Sequence, residues 1–548
     1  MNITTKLDHL SSDFLTQYLF SLGIEDIEKY LNPDLNLFEK WENYPNIKKA
    51  CRVFDNHIKN KTIIGIVMDS DQDGTCSAAL VYNFLMYLGY NKEHIKVYYH
   101  KGKQHGLKDL IDEILMTNGE KSLLIIPDAG SNDKEECLRL ASAGITSIIL
   151  DHHVMIEENN FAIIVNNQTE KVQNHHLSGT GVTDKFVRAY CDIYNFQCPD
   201  YTDLVAVSLV SDVCDLSNIE NRTYMYYGLA NLPNPFLNFL FNKLCTKRGF
   251  NPNGIGWEIS PLANALARSE EQETKKLFFD GLVGEIEPEE ALKNMRRVKR
   301  NQDNEVKEIV NEIEPNLDLN SKTLIGFTEA TNASFLGLIA NKFTGKYNKP
   351  TILLRESNST TWSGSLRSPI PLLTKINESG LAKAQGHESA CGVFIKKSNL
   401  AHFEKWLNDL DLSDTGVQEV CASIPIKGIT LDLCKIIEAN KNLWGDGVPS
   451  PTFYIKTTAS QNNVFIFEKA TTTIKLDFDG IGCLKFFASN KAKEDFTKYK
   501  NFEIEMIVGN LSINEYNGFV TPQCEILDYE IHKSILQNDK DISWEDLF

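Results

Sequence analysis

No CxxC pair occurs among the twelve cysteines of this 548-residue chain, so neither a zinc-ribbon motif nor a thioredoxin-like redox motif has support. No stretch approaches the ~20 uninterrupted apolar residues that a spanning helix needs. The opening "MNITTKLDHLSS" lacks the basic-then-apolar order of a signal peptide and the arginines of a transit peptide. Positive charge is also short: 56 Lys and Arg against 74 Asp and Glu give a formal net charge of −18. That balance excludes a uniformly basic nucleic-acid coat, but it leaves room for a local basic groove or for a site where cations neutralise clustered acids. These absences lead to the expectation of a cytoplasmic protein with most cysteines free and no membrane association.

What is present is a globular composition, 42% apolar and 24% charged, in a chain long enough for three or four domains. From residue 62 short apolar runs alternate with amphipathic stretches. "TIIGIVM", "HIKVYYH", "SLLIIPD" and "ITSIILD" read as buried strands with helical sequence between them, the rhythm of a parallel sheet covered by helices. A charged segment at 287–314 keeps apolar residues at Leu292, Met295, Val298, Val306, Ile309 and Ile313. It predicts one long connecting helix. An α/β pattern restarts after it, and from about residue 425 short aromatic and β-branched runs suggest a small β-barrel.

The stretch "GIVMDSDQDGTCSAAL" places Asp69, Asp71 and Asp73 on alternate positions directly after an apolar run. In a strand all three carboxylates would share one side and repel. An EF-hand is excluded because the twelfth position counted from Asp69 is Leu80, not glutamate. Further acids or histidines follow other apolar runs: Asp128, then Asp151-His152-His153, then Asp212. Read as strand tips, these places converge at the carboxyl edge of a sheet, where α/β folds bind ligands. Oxygen ligands with some imidazole suit Mn²⁺ or Mg²⁺, and two such ions ~3.5–4 Å apart would clamp a phosphate.

"DSDQDG", "PDAG", "LDHH" and "LVSD" occur in the order of the motifs of the DHH phosphoesterase superfamily, and the chain resembles its RecJ branch over nearly its whole length. "LSGTGVTDKF" and "ISPLANALARS" are similar to further RecJ segments, "GSLRSP" and "GHESACG" to the associated DHHA1 domain, and "LWGDGVPSPTF" to the start of the RecJ OB domain. The resemblance implies a helical lead-in (1–60), a parallel-sheet DHH domain (61–240), a helical connector (241–318), a smaller α/β DHHA1 domain (319–412), an OB-like barrel (420–532) and an acidic tail (533–548). It implies Asp71, Asp73, Asp128, His152 and Asp212 as ligands of two divalent cations, Mn²⁺ or Mg²⁺. Asp151 would orient His152, His153 would lie against the scissile phosphate, and Asp69 would support the site. Ser365 and Arg367 match residues that hold a 5′-terminal phosphate, His387 a histidine facing the cleft, and Gly386, Asn264 and Arg268 other cleft residues.

The chain departs from the family pattern in places. Val67 stands where some members carry a histidine, and Gln385 replaces a glycine. A Pro-Asn-Arg motif is missing, and "YYHKGKQHGL" offers Lys101, Lys103 and His105 instead, with a lysine binding phosphate as a point charge rather than a fork. Aromatics such as Phe453, Tyr454 and Phe467 could stack bases in the OB-like region. The tail "NDKDISWEDLF" resembles peptides that dock on a sliding clamp or another replication protein. The implied activity is a metal-dependent 5′→3′ exonuclease on single-stranded DNA that releases nucleoside 5′-monophosphates in repair, recombination or replication. The alternatives are a phosphodiesterase of short oligonucleotides or cyclic dinucleotides, and a non-catalytic replisome scaffold.

Overall fold

A computed structural model of the chain describes residues 1–533 apart from 101, 103, 270, 330–331, 411–417, 470 and 517. The chain opens on a strand, β1 (Ile3–Leu7), where the sequence suggested helix. Its neighbours Phe14, Tyr18 and Tyr30 are buried in the same core as the C-terminal residues Phe453, Ile504 and Val508. The following helix α1 (Ile47–Asn60) instead packs into the first α/β unit, through Phe54. The lead-in is therefore divided between two cores.

The first sheet contains β2 (Ile64–Met68), β3 (Ile95–Tyr99), β4 (Leu123–Pro127), β5 (Thr146–Asp151) and β6 (Ile163–Asn166), all parallel, in the order β3-β2-β4-β5-β6. Every residue of β2 and β4 is buried, as a sheet covered on both faces requires. Helices α2 (Gln72–Tyr87) and α3 (Gly179–Tyr194) join α1 on one face, where Phe54 meets Phe186 and Tyr190 edge-on at 5.4 and 5.2 Å. Val67, Leu124, Ile126 and Ile149 face a second cluster on the other side. The chain leaves β2 toward β3 on one flank and returns to β4 on the other. The crevice between the carboxyl ends of β2 and β4 is thus the topological switch point.

Asp212 departs from the expected strand-tip position. "LVAVSLV" belongs to α4 (Thr202–Ser211), and Asp212 caps its C-terminus. The run is buried nearly all round, and a fully buried segment of that length carries no periodicity to separate strand from helix.

Beyond α5 (Ser260–Ala267) lies the expected long helix, α6 (Pro288–Ile313). Its first half packs Ala291, Leu292, Met295 and Val298 into the first core. Its second half packs Val306 and Ile313 against the next unit, beside helix α7 (Leu336–Tyr347). That unit's sheet runs β10-β11-β9-β8-β7, from β7 (Leu324–Phe327), β8 (Thr351–Asn358), β9 (Thr361–Arg367), β10 (Ala382–His387) and β11 (Ala390–Lys396).

The C-terminal sheet adds β12 (Gln418–Ser423), β13 (Phe453–Ser460), β14 (Val464–Glu468), β15 (Thr472–Phe478), β16 (Ile481–Lys485), β17 (Asn501–Tyr516) and β18 (Phe519–Lys533). Its order is β1-β12-β13-β17-β18-β16-β15-β14, and among the described residues no ladder joins β1 to β14. It docks on the segment after Asp212: Leu216 N–H donates to Asp446 O (2.9 Å), Tyr30 Oη to Leu216 O (2.8 Å) and Arg222 Nη1 to Asn442 O (3.1 Å). Among the described residues no helix is long and apolar enough to cross a membrane.

Phe54 is fully buried at the centre of this aromatic contact. Phe54→Ala is expected to destabilise the first unit by about 3–5 kcal/mol through a cavity the neighbouring rings cannot close. Urea unfolding followed by intrinsic fluorescence measures the loss.

Candidate metal and phosphate site

The three acids after β2 converge, though not by strand alternation. The strand ends at Met68, and Asp71 is the N-cap of α2, its Oδ1 accepting Gly74 N–H at 3.0 Å. Asp73 then lies in the first helical turn. Gly74 is required here, since a Cβ would sit 2.3 Å from that of Asp69. Asp73 is clamped by protein donors: Gly179 N–H on Oδ2 (2.8 Å), and Thr180 N–H (2.8 Å), Thr180 Oγ1 (2.6 Å) and Ser208 Oγ (2.6 Å) on Oδ1. Two of these are the first amides of α3, where a helix dipole favours an anion.

Asp128 follows β4 in the left-handed region, at φ +64°, a conformation that an aspartate tolerates at some cost and that marks functional sites. Its Oδ1 is buried and makes no hydrogen bond. A Cβ on Gly179 would lie 2.3 Å from that oxygen, so only glycine lets the amino end of α3 approach. His152 Nε2 faces three carboxylates at once: Asp128 Oδ1 at 3.2 Å, Asp212 Oδ2 at 3.7 Å and Asp73 Oδ2 at 4.0 Å. Asp73, His152 and Asp212 form one group whose ligand atoms lie within 4.8 Å of one another. Asp128 with His152 and His153 forms another, and Asp69, Asp71 and Asp128 a third.

Charge in this crevice is uncompensated. Burial, then the field of Asp73, pushes Asp128 well above the usual carboxylate range. Burial followed by Asp73 and Asp71 lifts Asp212 to about 7, and burial followed by Asp69 and Asp73 lifts Asp71 to about 6. His152 is held below its ordinary value by burial, which leaves a neutral imidazole. Carboxylate oxygens, one neutral imidazole and an orphaned buried oxygen fit divalent cations of the Mn²⁺ and Mg²⁺ kind.

Asp151 does not orient His152. Its Oδ1 accepts the His153 Nδ1–H at 2.8 Å together with the His152 and His153 amides at 2.7 and 3.2 Å, and its Oδ2 accepts Ser131 N–H at 3.0 Å. The tight turn after β5 brings the second histidine, not the first, back over Asp151. Asp69 pairs with His105 Nδ1 at 2.7 Å and lies 3.5 Å from His100 Nε2. Burial opposes its charge, yet these two imidazoles bring it down to about 2. His100, Thr180 and Ser208 were not singled out in the sequence. His100 carried a usable signal, since it follows β3 as the other site residues follow β2, β4 and β5.

A second locus lies between α5 and the second unit. Arg268 caps α5 and donates Nη1–H to Asn264 O (2.9 Å), while Asn332 Nδ2 donates to Arg268 O (2.9 Å). Arg367 donates to Ser365 Oγ at 2.9 Å. Gly337, in the first turn of α7, leaves the room that its guanidinium fills, since a Cβ there would lie 2.6 Å from Nη2. Burial and then the Arg367 charge lower Arg268, and among the described residues neither guanidinium makes an ion pair.

Other expected residues lie apart from this grouping. His387 is exposed at the end of β10, and among the described residues no contact ties it to the carboxylates. Gly386 has a backbone reason of its own at φ +133°. Lys101, Lys103 and the acidic tail lie outside the described residues. Phe453 is fully buried in the sheet core and Tyr454 half-buried, whereas Phe467 is 49% exposed beside Phe465 at 47%, on the same face of edge strand β14. Phe453 is therefore a core residue rather than a stacking surface.

The family model described as "DHH family, N-terminal domain" matches residues 63–209, and "RecJ OB domain" matches residues 422–528. The chain thus resembles RecJ-type proteins of the DHH family in both of these segments. It is 29% identical to YorK, an SPbeta prophage-derived protein of Bacillus subtilis with the provisional name of a single-strand DNA-specific exonuclease, over 95% of this chain and 96% of that protein. It is 22% identical to the single-stranded-DNA-specific exonuclease RecJ of Escherichia coli, over 75% and 78% of the two chains. The structure of Thermus thermophilus RecJ in complex with Mn²⁺ superposes with a TM-score of 0.74 at 19% identity, covering 94% of this chain and 76% of that one. The Mg²⁺ complex gives 0.68 at 18%, covering 94% and 74%. The RecJ-type fold thus spans the β2/β4 crevice, the arginine pair and the C-terminal sheet together.

The raised carboxylates fix the sign of a pH effect. Without cations, each ionises against a penalty that is absent at low pH and is complete once pH exceeds its folded value. Chelation by EDTA is therefore expected to lower the thermal midpoint more at pH 8 than at pH 5.5, measured by differential scanning fluorimetry. Gly179→Ala is expected to weaken Mn²⁺ binding about tenfold or more by displacing Asp128, read by isothermal titration.

Proposed function

We propose that the protein is a divalent-cation-dependent exonuclease that degrades single-stranded DNA 5′→3′ and releases nucleoside 5′-monophosphates in repair, recombination or replication. The observation that carries the reading is the presence of two loci: an acid-and-imidazole cage at the sheet's switch point, and an Arg268/Arg367 couple that makes no ion pair among the described residues. On this reading Asp71, Asp73, Asp128, His152 and Asp212 hold two cations. When bound, these would polarise the scissile phosphoryl group and activate water for in-line attack. Asp73 is fixed by α3 and therefore sets where the cage opens. His153, its Nδ1 committed to Asp151, turns Nε2 toward the phosphate and stabilises charge that develops there. Asp69 keeps the loop after β3 in place.

The arginine couple, with Ser365, receives the 5′-terminal phosphate through planar forks that match its oxygens. Asn264, Gly386 and His387 line the path between the units, and Lys101 and Lys103 grip the neighbouring nucleotide. Exposed Phe465 and Phe467 offer bases a stacking face. The acidic tail docks on a sliding clamp or another replication protein. Within this reading the DHH unit spans 61–240, the connector 241–318, the DHHA1 unit 319–412 and the OB-like unit 420–532, followed by the acidic tail at 533–548.

Digestion of 5′- and 3′-labelled single and double strands with Mn²⁺ or Mg²⁺ tests the reading. Stepwise release of mononucleotides from the 5′ end of single strands is expected, and turnover confined to dinucleotides would replace it with the short-substrate phosphodiesterase. Asp128→Ala is expected to abolish cleavage while strand binding persists. Arg268→Ala or Arg367→Ala is expected to lower kcat/KM on 5′-phosphorylated strands by about 10- to 100-fold, the worth of a charge-assisted hydrogen bond, with little change on 5′-hydroxyl strands.

A further inference from the structure

Three imidazoles stand in a row at the mouth of the cage. His152 and His153 have ring centroids 4.5 Å apart, and His153 and His105 4.6 Å. His153 and His105 meet through their Nε2 atoms at 3.2 Å. Each has its other nitrogen against a carboxylate, His105 Nδ1 at 2.7 Å from Asp69 and His153 Nδ1 at 2.8 Å from Asp151. A nitrogen lone pair cannot rest that close to a carboxylate oxygen, so both Nδ1 atoms carry protons. Each carboxylate thereby fixes the direction of its ring, and the Nε2 edges of both imidazoles converge at the cage mouth.

The loop that carries His105 is strapped on both sides of it. Lys275 Nζ donates to Gly102 O (2.7 Å) and Ser70 Oγ to Gln104 O (2.7 Å). Gly106 N–H donates to Asp69 Oδ1 (3.3 Å) and Leu107 N–H to Asp133 Oδ2 (2.8 Å). Gly106 sits at φ +79°, where a Cβ would lie 2.3 Å from Asp133. With this backbone fixed, His105 keeps a side chain that is 49% exposed, open to a ligand yet held in direction.

We propose that His105 is a substrate-contacting residue which, with His153, forms a two-imidazole clamp on the scissile phosphate. This rests on the exonuclease reading of the cage and deepens it. The clamp occupies the place where the sequence lacks an arginine fork, and it brings two imidazole edges together from separate loops. An anion held on the cage meets both rings at once.

The test uses full-length His105→Ala, His105→Gln and His105→Gly proteins. Loss of one preorganised ring contact to the phosphate is expected to reduce kcat in His105→Ala by about 100-fold. Mn²⁺ stoichiometry and affinity, followed by electron paramagnetic resonance, should stay unchanged. His105→Gln, whose amide can reach the Nε2 position, should recover part of the rate, and added imidazole should stimulate His105→Gly but not Asp128→Ala. Binding of a phosphorothioate strand in Mn²⁺ should weaken in His105→Ala, and this reads the clamp without turnover. Wild-type protein that binds this strand but cleaves nothing would remove the exonuclease reading and leave the clamp measurable. Three results would overturn the clamp: His105→Ala turning over and binding like wild type, loss of a bound Mn²⁺ in that variant, or no imidazole rescue of a slow His105→Gly.

Discussion

Carboxylates forced together in a dry crevice govern this molecule. Taking an ionised group out of water costs several kcal/mol unless something compensates it, and the fold compensates its acids unequally. Asp69 has His100 and His105, Asp151 has His153 and three backbone amides, and Asp73 has the amino end of α3 with two hydroxyls. Among the described residues Asp128, Asp71 and Asp212 have fewer partners, respectively the His152 ring, the Gly74 amide and the Cys214 thiol, and all three are pushed toward the neutral form. The protein thus separates Asp69 and Asp151, which it neutralises itself, from Asp71, Asp128 and Asp212, whose charge a cation would offset, while Asp73 has protein donors and also faces the cage. The first set builds the walls that keep the second set from relaxing apart.

Those walls explain otherwise unrelated sequence features. The small residues of "LSGTG" are there because α3 must place its first amides against Asp73 and pass within contact of Asp128, which excludes a Cβ at Gly179. The left-handed backbone at Asp128 turns its side chain into the crevice at the point where β4 leaves the sheet. Val213, a β-branched residue at φ +54°, shows similar strain directly after Asp212. Strain of this kind persists where surrounding packing over-determines it. Here the buried faces of β2 and β4 and the docked C-terminal sheet supply that packing.

The parallel sheet and the connecting helix were legible because their signals are local: continuous apolar runs ending in acids, and 3.6-residue spacing over a long charged segment. The carboxylate set was legible because its members follow such runs. Pairing was not. Nothing in "LDHH" states which histidine folds back on Asp151, since that depends on the turn after β5. Equally, "LVAVSLV" carries no mark of helix or strand when every face is buried. The N-terminal strand was hidden for another reason: its partner lies at Gln418–Ser423, and pairing over that separation leaves no local pattern. His105 was visible only as a departure, and its role emerges from contacts with Asp69 and His153 that the sequence keeps far apart.

The connecting helix gives the site its scale. Because α6 is buried in the first core at one end and in the second at the other, the cage and the Arg367 side of the arginine couple are set by one continuous rod, and Asn332 pins the second unit to the carbonyl of Arg268. In the proposed function, a pocket for the terminal phosphate and a cage that cleaves the phosphodiester then lie a fixed number of nucleotides apart. On the proposed reading, polarity needs no recognition of sequence. A strand presenting its 5′ phosphate to the arginines brings one phosphodiester to the cage, whereas a strand entering by its other end offers the arginines no terminal phosphate to hold. Directional degradation would follow from the stiffness of α6 and from an Arg268/Arg367 couple that makes no ion pair among the described residues.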